Sequence, residues 1–574
     1  RTEVMLRAPS IIRFHTRCSI PSHRSKLDLR FSSSSGSVPA HSTFWELGLN
    51  TWQGLSCSSN AHPRRNKPFG NFVKSSSRHA KLFILRGMQS SGMCADTAPS
   101  SSVATSRKET FNVAVIGAGA SGLVAAKELL EEGLQVTVYE ASTEVGGIWI
   151  YDEAAEDDLL SQREDRGKVH SSMYASLRTN LPREVMSYLD LPFIPEAMQG
   201  KSQDSRRFCS HEEVLEYLKV YCEVYGLSEV IKFGRRVTKA IPQPVDCSDG
   251  TCAGWCIHSE GATGAEEEHF DALVVANGHY TQPNVPEPPL PGADTFPGTQ
   301  MHSHNYRRPG PFAGQVVVVV GAQSSGQDIS REVSQVAREV YLCSRSWPDP
   351  AMGTDPTPHG PRGNIWRRNN LAALHPDGSA EFEGGMAASG VDAVVYCTGY
   401  RYSFPFLQDA GVVSLERNRV EPLYEQVFVP ALAPRLAFIG LPFNVVAFQL
   451  FDMQAKWVAR VLSGRRALPP AGEMAEEGER LYAEVDATGL PGRYAHEMRN
   501  SQWEYINRLA DYCGDVGKLS PWREPMYKAN SRNKRENPET YRDSQTDFEL
   551  QRAAAADFGE ALQRLGAAAA AGRA

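Results

Sequence analysis

Nowhere in the 574 residues does an apolar run reach the roughly 18 residues that a membrane-crossing helix needs. No two of the 11 cysteines stand in CxxC spacing, so the pattern encodes neither a redox-active dithiol nor a zinc ribbon. Cys247, Cys252 and Cys256 crowd one region without a second pair at zinc spacing, and they read as ordinary reduced thiols. His302 and His304 in MHSHNY have no cluster of Cys or carboxylates converging on them, so both read as structural and no residue is assigned to a metal.

Acids are scarce at the beginning. Residues 1–108 hold 4 Asp+Glu against 16 Lys+Arg, with 22 serines, leaving 63 acids against 44 bases in the remainder. Such a composition cannot bury enough apolar surface to fold, and the segment is set apart as a disordered, transit-like presequence, 1–109. Two readings stay open. Either it directs the chain to a chloroplast or other organelle, or Met88 or Met93 is the true start and the protein is cytoplasmic. With a net charge of -7 no nucleic-acid partner is expected.

What is present is a turn built twice. FNVAVIG at 111–117 is a buried-strand pattern, SGLVAAKELLEEG a helix closed by Gly133, and between them Gly117, Gly119 and Gly122 give GxGxxG. Gly117 allows the tight turn, Gly119 lets a pyrophosphate approach the backbone, and Gly122 lets helix and strand pack closely. The intervening Ala118, Ala120 and Ser121 present main-chain N–H groups at the helix start. The next strand, QVTVYE, delivers Glu140, placed to accept from ribose hydroxyls.

VVVVVGAQSSGQDIS at 316–330 repeats the turn as Gly321, Ala322, Gln323, Ser324, Ser325 and Gly326, with Gln323 in the middle glycine's place. At Glu140's offset stand Ser344 and Arg345 instead of a carboxylate. A hydroxyl and a guanidinium hold a ribose phosphate that an acid would repel, so this turn is expected to take NADPH. DALVVANG (271–278) and DAVVYCTG (392–399) repeat a third pattern, a strand running to a cofactor crevice.

The class is therefore α/β, with two dinucleotide-binding Rossmann-type domains. The Pro-rich TQPNVPEPPLPGADTFPG reads as the linker into an inserted nicotinamide domain. The boundaries expected are 110–295 and 391–515 for the outer domain, 296–390 for the insertion, and 516–574 for a helical or flexible extension whose Ala-rich end is exposed.

Several segments carry a resemblance to the flavin-containing monooxygenases. EASTEVGGIW, with Gly147 and Trp149, resembles their GGxW segment, and FPGTQMHSHNY fits FxGxxxHxxxY through Phe296, Gly298, His302 and Tyr306. LRTNLPREVMSYLDLPF, CTGYRYSFPFL and LAFIGLPFNVVAFQLFDMQAKWVARVLSGR are also similar, most of all to the plant S-oxygenating branch. The resemblance implies FAD at the first turn and NADPH at the second. It implies an NADPH- and O₂-dependent oxygenation of a thioether sulfur or amine nitrogen of a small molecule through a C4a-hydroperoxyflavin. Asn180 matches the family's active-site asparagine, and His302 a linker position. A homodimer is compatible with this reading. Two other classes stay open at this stage: a pyridine nucleotide-disulfide reductase, which needs a dithiol, and an inactive flavin-binding interaction protein.

Overall fold

Two five-stranded sheets, each entirely parallel, organise the computed structural model, which describes residues 111–244 and 252–570. All of these belong to the unit Val103–Ala574. The expectations for residues 1–108 and for Cys247 lie outside them.

The chain opens with β1 (Asn112–Ile116), α1 (Ala120–Glu131) and β2 (Gln135–Tyr139), then α2 (His211–Val224) and β3 (Ile231–Lys232). An antiparallel meander follows, β4 (Arg236–Pro244), β5 (Cys252–Gly261) and β6 (Gly264–Phe270), before β7 (Ala272–Val275) returns to the sheet. After β8 (Gln282–Pro283) come β9 (Thr299–His302), β10 (Val316–Val320), α3 (Ser324–Ser334), β11 (Glu339–Cys343) and β12 (Ile365–Arg368). A second meander is formed by β13 (Leu371–Leu374), β14 (Ala380–Phe382) and β15 (Met386–Ala388). Then come β16 (Ala393–Tyr396), β17 (Tyr400–Arg401), β18 (Leu436–Phe438), α4 (Ala447–Leu462), α5 (Ala471–Ala487), α6 (Gln502–Cys513), α7 (Arg523–Glu536) and α8 (Phe548–Ala570).

The sheet orders are β18-β7-β1-β2-β3 and β12-β11-β10-β16-β9. In both, the strand before the glycine turn is central. That is why β1 and β10 are apolar without alternation: each face of the strand meets its own core. Val113 and Val115 pack with α1 and α4, while Ala114 and Ile116 pack with the first meander. Val317 and Val319 meet Ile329 and Val333 of α3, and Val316, Val318 and Val320 meet Leu371 and Phe382 of the second meander.

The repeated aspartates play matching roles. Asp271 accepts from Asn112 N at 2.7 Å and Asp392 from Val316 N at 2.8 Å, each capping the start of a central strand from its neighbour. The expected return at 391 needs correcting, however. β16 pairs with β10 and β9, so it closes the second sheet and the chain leaves that sheet only after Tyr396. The outward and return crossings run side by side as β8 and β17, pinned by Asn284 N to Gly399 O at 2.9 Å.

A buried ion cluster ties α1 to α4. Lys127 and Lys456 both contact Glu128 and Asp190, and Lys456 also reaches Asp452 at 3.1 Å. The Ala-rich end is not wholly exposed as expected: Ala554, Phe558 and Ala561 on α8 are buried, with the Phe558 ring edge-on to Trp522.

Candidate functional site

The two glycine turns have nearly the same geometry. Gly117 and Gly321 have φ of 104° and 105°, left-handed values that favour glycine. A Cβ on Gly122 would overlap the Gly117 carbonyl oxygen, and one on Gly326 would overlap that of Gly321, so both positions are closed to side chains. The middle position differs. Gly119 and Gln323 sit at φ −79° and −82°, ordinary extended backbone, which explains how glutamine stands in the second turn without strain.

Each turn leaves a set of donors. The first helical bonds are Leu123 N to Gly119 O at 3.0 Å and Gln327 N to Gln323 O at 2.9 Å. The N–H groups of Ala120, Ser121 and Gly122, and of Ser324, Ser325 and Gly326, therefore have no intrahelical acceptor and face the space beyond the strand ends. Ser121 turns its hydroxyl onto Ala276 O at 3.3 Å, so its contribution there is the main-chain N–H. Ser324 and Ser325 are exposed.

At the end of β2, Glu140 is buried and fixed by two main-chain donors, Ala118 N at 2.7 Å and Ser142 N at 2.8 Å. Each oxygen keeps a lone pair for a ribose hydroxyl. Gly147 closes against the same turn: a Cβ on Gly119 would lie 3.5 Å from the Gly147 Cα. Trp149 packs behind this turn on the core.

The second turn ends differently. Gly321 N donates to Cys343 O at 2.9 Å, which brings the end of β11 to the turn, and the chain continues into Ser344 and exposed Arg345. Ser344 Oγ donates to Ser346 O at 2.7 Å, so the hydroxyl faces its own loop, while Ala322 O accepts from Gln327 Nε2 at 2.9 Å. Among the described residues no carboxylate takes at this strand end the place that Glu140 has in the first sheet.

Asn180 reaches the second turn. It is exposed, and its Nδ2 donates to Ser324 Oγ at 3.2 Å. From the far end of the chain, Asn530 Nδ2 donates to Asn180 O at 3.1 Å, Arg542 Nε to Thr179 O at 2.9 Å, and Lys534 Nζ to Ser324 Oγ at 3.4 Å. These C-terminal residues are absent from the sequence reading. The one available signal is a stripe on α7: Arg523, Met526, Asn530 and Asn533 are buried at helical spacing, a mostly polar face turned inward.

His302 is fully buried and its Nδ1 accepts from His304 N at 3.1 Å. His304 Nδ1 lies 2.7 Å from Ser172 Oγ, and its Nε2 lies 3.5 Å from Glu156, so the pair anchors a neighbouring loop. Cys209, Cys222, Cys256, Cys343, Cys397 and Cys513 are buried free thiols. Two groupings of side chains could in principle hold a cation, Cys256 with Glu267 and His269, and Glu128 with Asp190 and Asp452. The second is already neutralised by Lys127 and Lys456. Among the described residues no helix is long and apolar enough to cross a membrane.

Residues 110–348 and 362–520 match the family model described as flavin-binding monooxygenase-like. The Arabidopsis thaliana protein named flavin-containing monooxygenase FMO GS-OX-like 4 is 45% identical over 452 residues, covering 78% of this chain and 97% of its own length. FMO GS-OX2 of the same plant is 45% identical over 447 residues, 78% of this chain and 94% of its own. Among solved structures, S-allyl-L-cysteine S-oxygenase from Allium sativum superimposes with a TM-score of 0.73 at 44% identity, covering 79% of this chain and 99% of that one. Tmm from Pelagibacter sp. strain HTCC7211, at 24% identity and a TM-score of 0.62, shares the fold.

Proposed function

The chain belongs to the flavin-binding monooxygenase-like family, and from that premise we propose that it is a thioether S-oxygenase whose two glycine turns hold its two cofactors. It is an FAD- and NADPH-dependent monooxygenase acting on soft nucleophiles. That class leaves no place for the disulfide-reductase reading, and oxidation of NADPH in air by the FAD-loaded protein separates the proposal from an inactive flavin-binding protein.

FAD and NADPH, when bound, supply the reducing power and the activation of O₂. The chain's own residues bind and orient them. The N–H groups of residues 119–122 would receive the FAD pyrophosphate, while that of Ala118, expected to join them, is spent on Glu140; Glu140 would hold the ribose, with Gly147 and Trp149 closing the far side. Those of residues 322–326 would receive the NADPH pyrophosphate, with Arg345 at the 2′-phosphate and Ser344 joining it only where its hydroxyl leaves Ser346 O. In this reading the NADPH domain is an insertion in the FAD domain, both of Rossmann type. The order β3-β2-β1-β7-β18 and the matching run β12-β11-β10-β16 support it.

Asn180 is the proposed catalytic residue. A side-chain amide can donate a hydrogen bond without releasing a proton, so it can hold activated oxygen in place without acidifying it. The observation that carries the reading is the pairing of two near-identical turns with opposite strand ends, Glu140 at one and Ser344–Arg345 at the other. Sulfur over nitrogen is favoured by the likeness to the garlic S-oxygenase.

An organellar location if residues 1–108 are a transit segment, a cytoplasmic one otherwise, and a homodimer are carried as parts of the same proposal. The test is a panel of matched thioethers and tertiary amines, assayed with NADPH in air and read by product mass. A gain of one oxygen on the thioethers is the expected result. Oxygenation of amines alone would reject the sulfur assignment.

A further inference from the structure

α7 brings Lys534 to the N-terminal end of α3, where its Nζ is 3.4 Å from Ser324 Oγ. A helix start is the positive end of the backbone dipole, so a second positive charge there is unfavourable unless an anion lies between them. Nearby charges do not supply one. Asp328 is engaged by Arg542 and Arg331, and Glu539 by Arg331. Lys534 itself makes no ion pair among the described residues; its contacts are Ser324 Oγ and the Tyr541 ring. Burial pushes its pKa down against the pull of Asp328, and Arg542 and Arg331 push the same way.

A second, separate observation lies one turn earlier on the same helix face. Asn530 is only 7% exposed, donates through Nδ2 to Asn180 O, and leaves its Oδ1 without a hydrogen-bond partner. A buried acceptor in that state lacks a donor, which a ribose hydroxyl or the carboxamide of a bound nicotinamide coenzyme can supply and its pyrophosphate cannot. One helix face thus presents an uncompensated cation to Ser324 and a vacant acceptor beside Asn180.

We propose that α7 completes the nicotinamide-coenzyme site, with Lys534 binding the coenzyme pyrophosphate at Ser324 and Asn530 positioning Asn180 through its main-chain carbonyl. The inference rests on reading the second turn as the NADPH turn. It adds a contact from residue 534, beyond the 110–348 and 362–520 matched by the family model.

The experiment is calorimetric titration of NADP⁺ and NAD⁺ into FAD-loaded wild type, Lys534→Met, Lys534→Arg and Arg345→Ala. Both coenzymes carry the pyrophosphate, so Lys534→Met is expected to weaken both by about tenfold, with FAD content unchanged, and Lys534→Arg to restore most of the affinity. The advantage of wild type over Lys534→Met should shrink with added salt. Wild-type affinity for both coenzymes in Lys534→Met would overturn the proposal, as would a loss confined to NADP⁺, which would move Lys534 to the 2′-phosphate. If Arg345→Ala discriminates between the coenzymes while Lys534→Met does not weaken them, the α7 contact fails and the NADPH turn stands. If wild type binds neither, both fall. Should Lys534→Met not fold, Lys534→Gln keeps a polar head and removes the same charge.

Discussion

Asn180 donates to Ser324 across 3.2 Å, tying the segment between β2 and α2 to the first residue of α3 on the second turn. Only Asn180's side chain makes this contact, and its carbonyl is held separately by Asn530. Replacing the amide should therefore leave the loop in place and remove one donor. Asn180→Leu is expected to keep FAD and to oxidise NADPH, while oxygen goes to H₂O₂ instead of to the thioether. A donor worth about 1–3 kcal/mol predicts a tenfold to hundredfold fall in product formed per NADPH consumed, on the order of the loss of one charge-assisted hydrogen bond. Parallel assays of NADPH, sulfoxide and H₂O₂ decide it; unchanged coupling would leave Asn180 a turn residue.

Arg345 is exposed at the end of β11, with no carboxylate opposite it at the position Glu140 fills in the first sheet. Arg345→Ala should raise the KM for NADPH with little change for NADH, a loss of about 1.5–3 kcal/mol for a charge-assisted contact. Steady-state kinetics with the two coenzymes give the answer directly. An equal effect on both would detach Arg345 from the 2′-phosphate.

The two glycines of the first turn should fail in different ways. At Gly119 the backbone is ordinary and a Cβ meets Gly147 alone, its Cα at 3.5 Å and its N at 3.8 Å, so Gly119→Val should fold and come out colourless, its branch occupying the cofactor's path. At Gly122 a Cβ would overlap the Gly117 carbonyl, so Gly122→Ala should damage the fold itself, lowering Tm or solubility. Absorbance at the flavin band, set beside a thermal melt of each variant, separates the cases. A yellow Gly119→Val protein would mean that FAD binds elsewhere.

How much of this was legible depends on how local the determinants are. The turns were readable because strand, glycines and helix lie within about 20 residues, and Glu140 follows at a fixed offset. The meander β4–β6 was not. β6 is GAEEEHF, almost wholly exposed, and becomes a strand by pairing with β5, not through an apolar pattern of its own. The repeat of Asp271 and Asp392 counted two strands correctly but could not say which sheet the second joins, since both carry the same pattern and only the pairing partner differs. Asn530 and Lys534 reach residues 350 and 210 positions away, a relation no spacing rule records.

Buried neutral histidines set the last expectation. His496 is fully buried: Nε2 accepts from Val420 N at 2.9 Å, and Nδ1 lies 2.5 Å from Gln426 Oε1, which can only accept. This arrangement requires the neutral ring. A proton on Nε2 would oppose the Val420 N–H. Burial, helped by His279 and Arg419, pushes its pKa from 6.5 down to about 3, and burial with His304 does the same to His302. Below about 6.5 the unfolded chain takes up protons that the folded chain refuses, so stability present at neutral pH is lost as pH falls, by about 1.4 kcal/mol per pH unit for each such ring. Asp452 works in the opposite sense, since burial raises it to about 6 and the folded chain holds its proton where the unfolded chain does not. That offsets one ring between about pH 6 and 4, and the two histidines together still prevail. Melts of the FAD-loaded protein should therefore show Tm falling from pH 7.5 to 5.5. His496→Gln, which keeps an acceptor for Val420 N, should start from a lower Tm and fall less steeply. Equal slopes for the two proteins would show that His496 does not carry the acid sensitivity.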